Sequence, residues 1–285
     1  AGVFKFGGKD GASSIESTGC AGLPAGTFEQ EALIVAPEKV VRALLNHKSI
    51  SLEENVFVER VSHGEQGWSI NGGEEVFDCV VFANGYRLGR ALDGNVYPLV
   101  SVRGQSSLLH APEVLSGLRC ALEGDGFVLP LGQDTLLLGA TYVRGDEALA
   151  LRDTEHGENL KKLEPLLEGM SVKDVDGGYV GVRGTTPDRL PMVGPFEDRS
   201  AFLRDYGELK HGSLHREFPE GTFMPGLYMS GGYGSWGFSG AFLGAAILCS
   251  LIQREPLPVS LSLFEHLLPS RFLIRDLERG KALNV

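Results

Sequence analysis

Apolar residues recur at helical spacing over 36–47 (APEKVVRALLNH), with Pro37 suited to a first turn. Over 154–170 (TEHGENLKKLEPLLEGM), Leu160, Leu163, Leu166 and Leu167 make an apolar stripe that Asp153 or Thr154 can cap. The run AFLGAAILCSLI (241–252) predicts a further helix. LSLFEHLLPSRFLIRDLERGK (261–281) predicts two short ones broken near Pro269. Between these, short alternating or apolar runs read as strands with glycine turns: NVFVERVSH, GWSING, VFDCVVFANG, then a series from 96 to 142. DVDGGYVGVRGTTPDRLPMVGP (174–195) reads as strand, turn, strand. The first thirty residues, rich in Gly and Ser, read as irregular or loosely paired.

The pattern predicts an α+β protein. An α/β portion, marked by CVVFANG and GLYMSGGYGSWG, is interrupted by a mostly antiparallel β region. The boundaries expected are 1–95 and 196–285 for the interrupted portion and 96–195 for the insertion.

Composition narrows the class. The chain has 285 residues, 42% hydrophobic and 22% charged, enough for a substantial core. A net charge of −11 argues against binding nucleic acid through the whole surface, but not through a local basic patch. Cys20, Cys79, Cys120 and Cys249 are scattered, which predicts buried free thiols in a reducing, cytoplasmic setting. No run approaches the ~18 apolar residues of a membrane span, and the first residues lack the pattern of a signal peptide. The one H-x-x-x-H spacing is His211 and His215 in HGSLH, around Gly212 and next to polar residues, and no H-E-x-x-H occurs, so no metal site is expected. No G-x-S-x-G occurs, so a hydrolase nucleophile is not signalled.

Five stretches carry candidate chemistry. MSGGYGSWGFSGA matches G-x-G-x-x-G at Gly232, Gly234 and Gly237, between a predicted strand and helix. A dinucleotide fingerprint needs a second strand ending in an acid about 20 residues on, and QREPLPV around Glu255 is not one. Two readings remain: a tight packing turn, or a helix start whose free N–H groups meet a flavin carbonyl, with Tyr233 and Trp236 beside a flat ring. Ala83-Asn84-Gly85 ends an apolar strand with small residues that let a ligand approach. Arg103-Gly104-Gln105 places an arginine that either reaches an anion or ring, or stands on the surface. Arg183, in an apolar strand opposite Val180 and Val182, takes either a bidentate substrate carboxylate or a structural acid. Finally, Arg271, Arg275 and Arg279 fall at i, i+4, i+8 with Lys281 beyond. That basic face either balances a helix dipole and nearby acids or touches phosphates.

In this order VVFANG, VRGQ, VGVRGTTPDRLPMVGP and GGYGSWGFSGAFLGAAIL resemble the D-amino-acid-oxidase-like family of FAD enzymes, which includes glycine and sarcosine oxidases. LGATYVRGD and the ending RFLIRDLERGK are most similar to one group within it. These are the FAD-dependent C-terminal modules of bifunctional proteins of tRNA 5-methylaminomethyl-2-thiouridine biosynthesis. The resemblance implies FAD as cofactor and tRNA as partner. The reaction implied is oxidative removal of a carboxymethyl group from carboxymethylaminomethyl-(2-thio)uridine at the wobble position, with release of glyoxylate. It implies Val58, Ala83, Asn84, Gly85, Arg103, Gly104 and Gln105 as FAD contacts. Gly232, Tyr233, Gly234, Ser235, Trp236, Gly237, Phe238 and Ser239 would face the flavin. Arg183 would bind the substrate carboxylate, with Tyr142 and Tyr233 as pocket residues and Arg271, Arg275, Arg279 and Lys281 toward RNA. The family's N-terminal G-x-G-x-x-G unit and its ribose-binding acid are not seen in this sequence. The resemblance therefore also implies a separate N-terminal FAD-binding or methyltransferase portion as partner. Two rival expectations stand: an oxidase of glycine or another small amine, and a flavin-less binding or assembly module.

Overall fold

The computed structural model describes residues 3–6, 19–20, 26–29, 31–90, 97–132, 134–167, 169–212 and 217–281. Strands β1 (Val3–Phe6) and β2 (Gly26–Glu29) precede helix α1 (Pro37–Leu45). Strands β3 (Val61–Gly64), β4 (Gly67–Ile70) and β5 (Val80–Phe82) follow. Then come β6 (Val100–His110), β7 (Ala121–Glu123), β8 (Phe127–Pro130), β9 (Thr135–Gly139) and β10 (Val143–Arg144). Helix α2 (Asp153–Lys162), β11 (Val175–Thr185), β12 (Met192–Glu197), α3 (Arg199–Tyr206) and β13 (Phe223–Gly231) lead to the C-terminal helices α4 (Gly237–Gln253), α5 (Leu261–Leu267) and α6 (Arg271–Glu278).

The chain divides into two units, one drawn from 1–52 and 102–182 and the other from 53–101 and 183–285. This division differs from the expected 1–95, 96–195 and 196–285: the described residues of 1–52 group with 102–182. The first unit is built on eight strands in the order β10-β6-β9-β8-β7-β1-β2, with β11 also paired to β6. Its pairs are antiparallel at β6–β9, β7–β8 and β8–β9, and parallel at β1–β7. Alternation along β9 turns Leu136 and Leu138 inward beside Leu109, Leu122 and Val128. The expected stripe Leu160, Leu163, Leu166 and Leu167 covers them from α2 and the 3-10 turn after it. α2 begins without a side-chain cap, its N-cap being Arg152, so neither Asp153 nor Thr154 has the expected role.

The second unit holds a three-stranded sheet, β12-β13-β5, with β12–β13 antiparallel and β13–β5 parallel. Its core joins Met192, Phe196, Leu227 and Met229 of the sheet to Trp68, Leu88 and Phe272. α4 packs through Ile247 and Leu248 on Val193, Phe264 and Leu267. Three expectations change. NVFVERVSH forms a strand only from Val61, because 57–60 is held by the Asn71 side chain: its Oδ1 accepts from the Glu59 and Arg60 amides, and its Nδ2 donates to Phe57 O. Cys249 is exposed, not buried. By length and composition the stretch Gly234–Gln253 is long and apolar enough to cross a membrane, with 22% of it buried. The sequence reading missed it because four glycines interrupt the apolar run.

A buried polar network ties α2 to β6. The Ser107 hydroxyl and His156 Nδ1 lie 2.7 Å apart, and Asn159 Nδ2 donates to Ser107 Oγ at 3.1 Å and to Gln105 O at 3.0 Å. Burial pushes the His156 imidazole below its ordinary 6.5, against the pull of Asp153 and Glu155. The unfolded chain therefore takes up the proton first as pH falls. Stability from this site is present above about pH 6.5 and lost below it. Melting temperature followed from pH 7.5 down to about 5.5 is expected to fall more steeply in the wild type than in His156→Gln; equal slopes would remove His156 as the cause.

Candidate functional site

Three sequence motifs far apart in the chain meet in the second unit around a cavity of about 300 Å³. Ala83 and Gly85 come from the end of β5, Arg183 and Gly184 from the end of β11, and Ser230 to Gly234 from the end of β13; Ala241 of α4 completes the lining. Small residues make most of the wall. Gly85 has φ +63°, and a Cβ placed there would meet nothing within 4 Å. Gly232 and Gly234 have φ +74° and +56°, conformations in which a side chain is strained. Gly184 is required for a different reason, because a Cβ there would lie 3.0 Å from the Tyr86 backbone.

Arg183 is the cationic group of this lining, half-buried, with Nη1 donating to Ser235 Oγ at 3.1 Å. Tyr233 lines the cavity as expected of a pocket residue, with its ring packed toward α4. Its hydroxyl lies 2.7 Å from Ser230 Oγ, and its ring fills the space left by Gly240 and Gly244, where added Cβ atoms would come within 2.9 and 1.9 Å of it. Burial raises its phenol above the ordinary range, with the bond to Ser230 acting the other way. Trp236 and Phe238 point outward, 75% and 45% exposed. α4 opens at Gly237 directly after the 3-10 turn Gly234–Trp236, with no side chain capping its first turn. Ser239 is exposed and its hydroxyl turns back to Trp236 O. Asn84, exposed beside Ala83, is not part of the lining. Val58 is an exposed residue of the segment before β3.

Other expected site residues belong to the first unit. Arg103 is neither at the surface nor open to a ligand. It is fully buried in the first unit, donating from Nε to Ala148 O at 2.8 Å, from Nη2 to Gln105 Oε1 at 3.0 Å, and from Nη1 to Glu155. Gln105 Nε2 donates to Arg152 O at 2.8 Å, and Gly104 is buried between the two. Tyr142, 60% exposed, lines a different cavity of about 300 Å³ in the first unit, with Phe127, Gly139 and Ala140.

Of the two readings of the α6 arginines, Arg271 and Arg275 follow the one in which they pair with an acid. Arg271 is buried and Arg275 half-buried, and both close on Asp188 instead of forming a solvent face. Burial would raise the Asp188 carboxyl, but hydrogen bonds from Arg271 and Arg275 hold it well below the usual carboxylate range. Arg279 is exposed, and Lys281 pairs with Asp276 at 2.9 Å. Sequence reasoning missed Ser230, Gly184 and Ala241 at the cavity, and Asp188 and Glu155 as arginine partners. TTPDRLP carried a signal for Asp188, an acid set among turn residues directly after the Arg183 strand. Among the described residues no group of three His, Cys, Asp or Glu is placed to hold a metal ion; His215 lies outside them.

A strand-borne arginine thus shares a cavity with a glycine-lined turn that precedes an apolar helix. The chain belongs to the DAO family of FAD dependent oxidoreductases, whose family profile matches residues 8–251. It is 37% identical over 238 residues to the tRNA 5-methylaminomethyl-2-thiouridine biosynthesis bifunctional protein MnmC of Paraburkholderia phymatum, covering 80% of this chain and 36% of that protein. To the protein of the same name from Chromobacterium violaceum it is 32% identical over 286 residues, covering 96% of this chain and 43% of that one. It thus spans well under half the length of these relatives. Its fold matches glycine oxidase from Geobacillus kaustophilus with a TM-score of 0.54 at 20% identity, over 73% of this chain and 50% of that one.

FAD is the cofactor of this family. The residues present fit its flat ring end: a backbone-lined wall at Gly231–Gly234, an open face at Gly85, and the uncapped start of α4 next along the chain.

Proposed function

We propose that this chain forms the flavin-ring and carboxylate-binding part of a FAD-dependent oxidoreductase. Its substrate is the carboxymethylaminomethyl group of a tRNA wobble uridine. The observation that carries the reading is the convergence of Arg183 with the Gly231–Gly234 turn on one cavity. The name shared by relatives that align with 80% and 96% of the chain supports the substrate.

The substrate group is a secondary amine bearing CH₂–carboxylate. Arg183 pairs with the carboxylate as a charge-assisted fork and so sets the CH₂ at a fixed distance from the glycine wall. Glycine backbone lets a flat ring come closer than any side chain would allow. Bound FAD supplies the two-electron acceptor for oxidising the CH₂–N bond. Water then cleaves the oxidised carbon–nitrogen bond, glyoxylate leaves, and aminomethyluridine remains. We assign no general base.

One observation favours the second reading, an oxidase of a small amine acid. Arg271 and Arg275 are engaged internally and Lys281 pairs with Asp276, so the basic face that would recommend tRNA is reduced chiefly to Arg279. Both readings use the same carboxylate clamp. The purified chain is expected to take up added FAD, giving the visible flavin band, and then to release glyoxylate from wobble-modified tRNA. Release from glycine or sarcosine, but not from tRNA, would select the small-amine reading. A colourless protein that takes up no FAD would overturn both.

A further inference from the structure

All five N–H groups of the Arg271 guanidinium are engaged. Nε and Nη2 donate to the two Asp188 oxygens at 3.0 and 3.2 Å, Nη2 also to Leu190 O at 2.8 Å, and Nη1 to Leu267 O and Leu268 O at 3.1 and 2.9 Å. Arg275 Nη1 adds a 2.6 Å bond to Asp188, and the Phe272 ring lies 4.2 Å from the Arg271 guanidinium. Asp188 stands in the turn that leaves β11. In that turn the Thr186 hydroxyl donates at 2.6 Å to Leu190 O, the carbonyl that Arg271 also holds.

The same turn borders the cavity wall. Thr186 is 1% exposed, and its methyl group sits 2.9 Å from where a Cβ on Gly232 would be. Thr185 bridges to Tyr233, and Arg183 bonds Ser235. An unbroken set of contacts therefore runs from α6 through Asp188 and Thr186 to the glycine wall and Arg183.

We propose that Arg271 is a positioning residue: by fixing Asp188 and Leu190 it sets the Thr186 turn, which in turn sets the aim of Arg183 and the position of Gly232. The proposal rests on the carboxylate role of Arg183. A buried ion pair adds little net stability over apolar packing, but it imposes geometry. Lysine cannot reproduce that geometry, since its point charge has no planar fork to span both Asp188 oxygens and Leu190 O.

The test uses the full chain with FAD added. Calorimetry measures the affinity for methylthioacetate, which carries CH₂–carboxylate but no oxidisable amine, and melting temperature is recorded alongside. Arg271→Lys and Asp188→Asn are expected to weaken binding roughly tenfold or more, as small displacements of a clamp do. Arg275→Ala removes one bond to Asp188 from a side chain 37% exposed, and is the milder variant should the first two fold poorly. Leu277→Ala is the control: it opens the core of α6 beside Phe202 and Leu209, away from the turn, and is expected to lower the melting temperature while leaving affinity within about two-fold. The proposal is overturned if the Asp188-junction variants bind like the wild type, or if affinity tracks melting temperature in all variants, Leu277→Ala included. If Arg183→Ala weakens binding and Arg271→Lys does not, only the positioning role falls. If the wild type and Arg183→Ala bind equally, the carboxylate reading falls with it.

Discussion

Replacing Glu155 by Ala is expected to destabilise the unit that holds it by about 3–5 kcal/mol, the scale found when one partner of a buried ion pair is removed. Arg103 is wholly inaccessible, and Glu155 is its only carboxylate partner among the described residues. Glu155 also accepts from the Thr141 hydroxyl and, at 3.4 Å, from Arg152 Nη1. Truncation would leave a buried guanidinium facing carbonyls alone, and desolvation of an unmatched charge is what makes this costly. Glu155→Gln keeps an acceptor of the same shape and should lose less. Hydrogen exchange at the β6 amides is the direct measure, since Arg103, Gln105 and Ser107 all lie on that strand and the network pins it to α2. Unchanged protection in Glu155→Ala would mean that the strand is held by its ladder and core alone.

The burial of Arg103 and the partner of the α6 arginines were not legible for one shared reason. Periodicity says which side of an element a residue occupies, but not whether another segment covers that side. Arg103 is covered from Ala148 to Glu155, a stretch joined to β6 only through tertiary contact. The i, i+4 spacing of Arg271 and Arg275 was legible; their shared partner, more than eighty residues away in sequence, was not. The reverse holds at the cavity. Small residues that end strands carry a local requirement, a positive φ or a close backbone approach, so Gly85, Gly232 and Gly234 could be picked out from sequence as a candidate ligand wall. Tyr233 and Trp236 could not be oriented, because which of two neighbouring rings turns inward depends on where the glycines of the next helix fall. Gly240 and Gly244, three and four residues along that helix from Gly237 and Gly240, admit Tyr233 and leave Trp236 outside.

Arg183→Ala is expected to weaken binding of a CH₂–carboxylate ligand by about 1.5–3 kcal/mol, roughly 10- to 150-fold. The guanidinium is half-buried on a wall made otherwise of glycine, alanine, serine and tyrosine, so no second cation of the lining can replace it. Ser235 accepts from Nη1 at 3.1 Å, and a guanidinium can meet two carboxylate oxygens together. Arg183→Lys should recover part of the loss, because charge is retained and the fork is not. FAD uptake separates a local effect from collapse of the site: the flavin band should persist in both variants, since the Gly231–Gly234 wall is backbone and does not depend on the arginine side chain. A loss confined to carboxylate affinity, with FAD uptake kept, assigns Arg183 to the substrate. If affinity stays within about two-fold of the wild type, its bond to Ser235 is structural and the cavity has no carboxylate clamp.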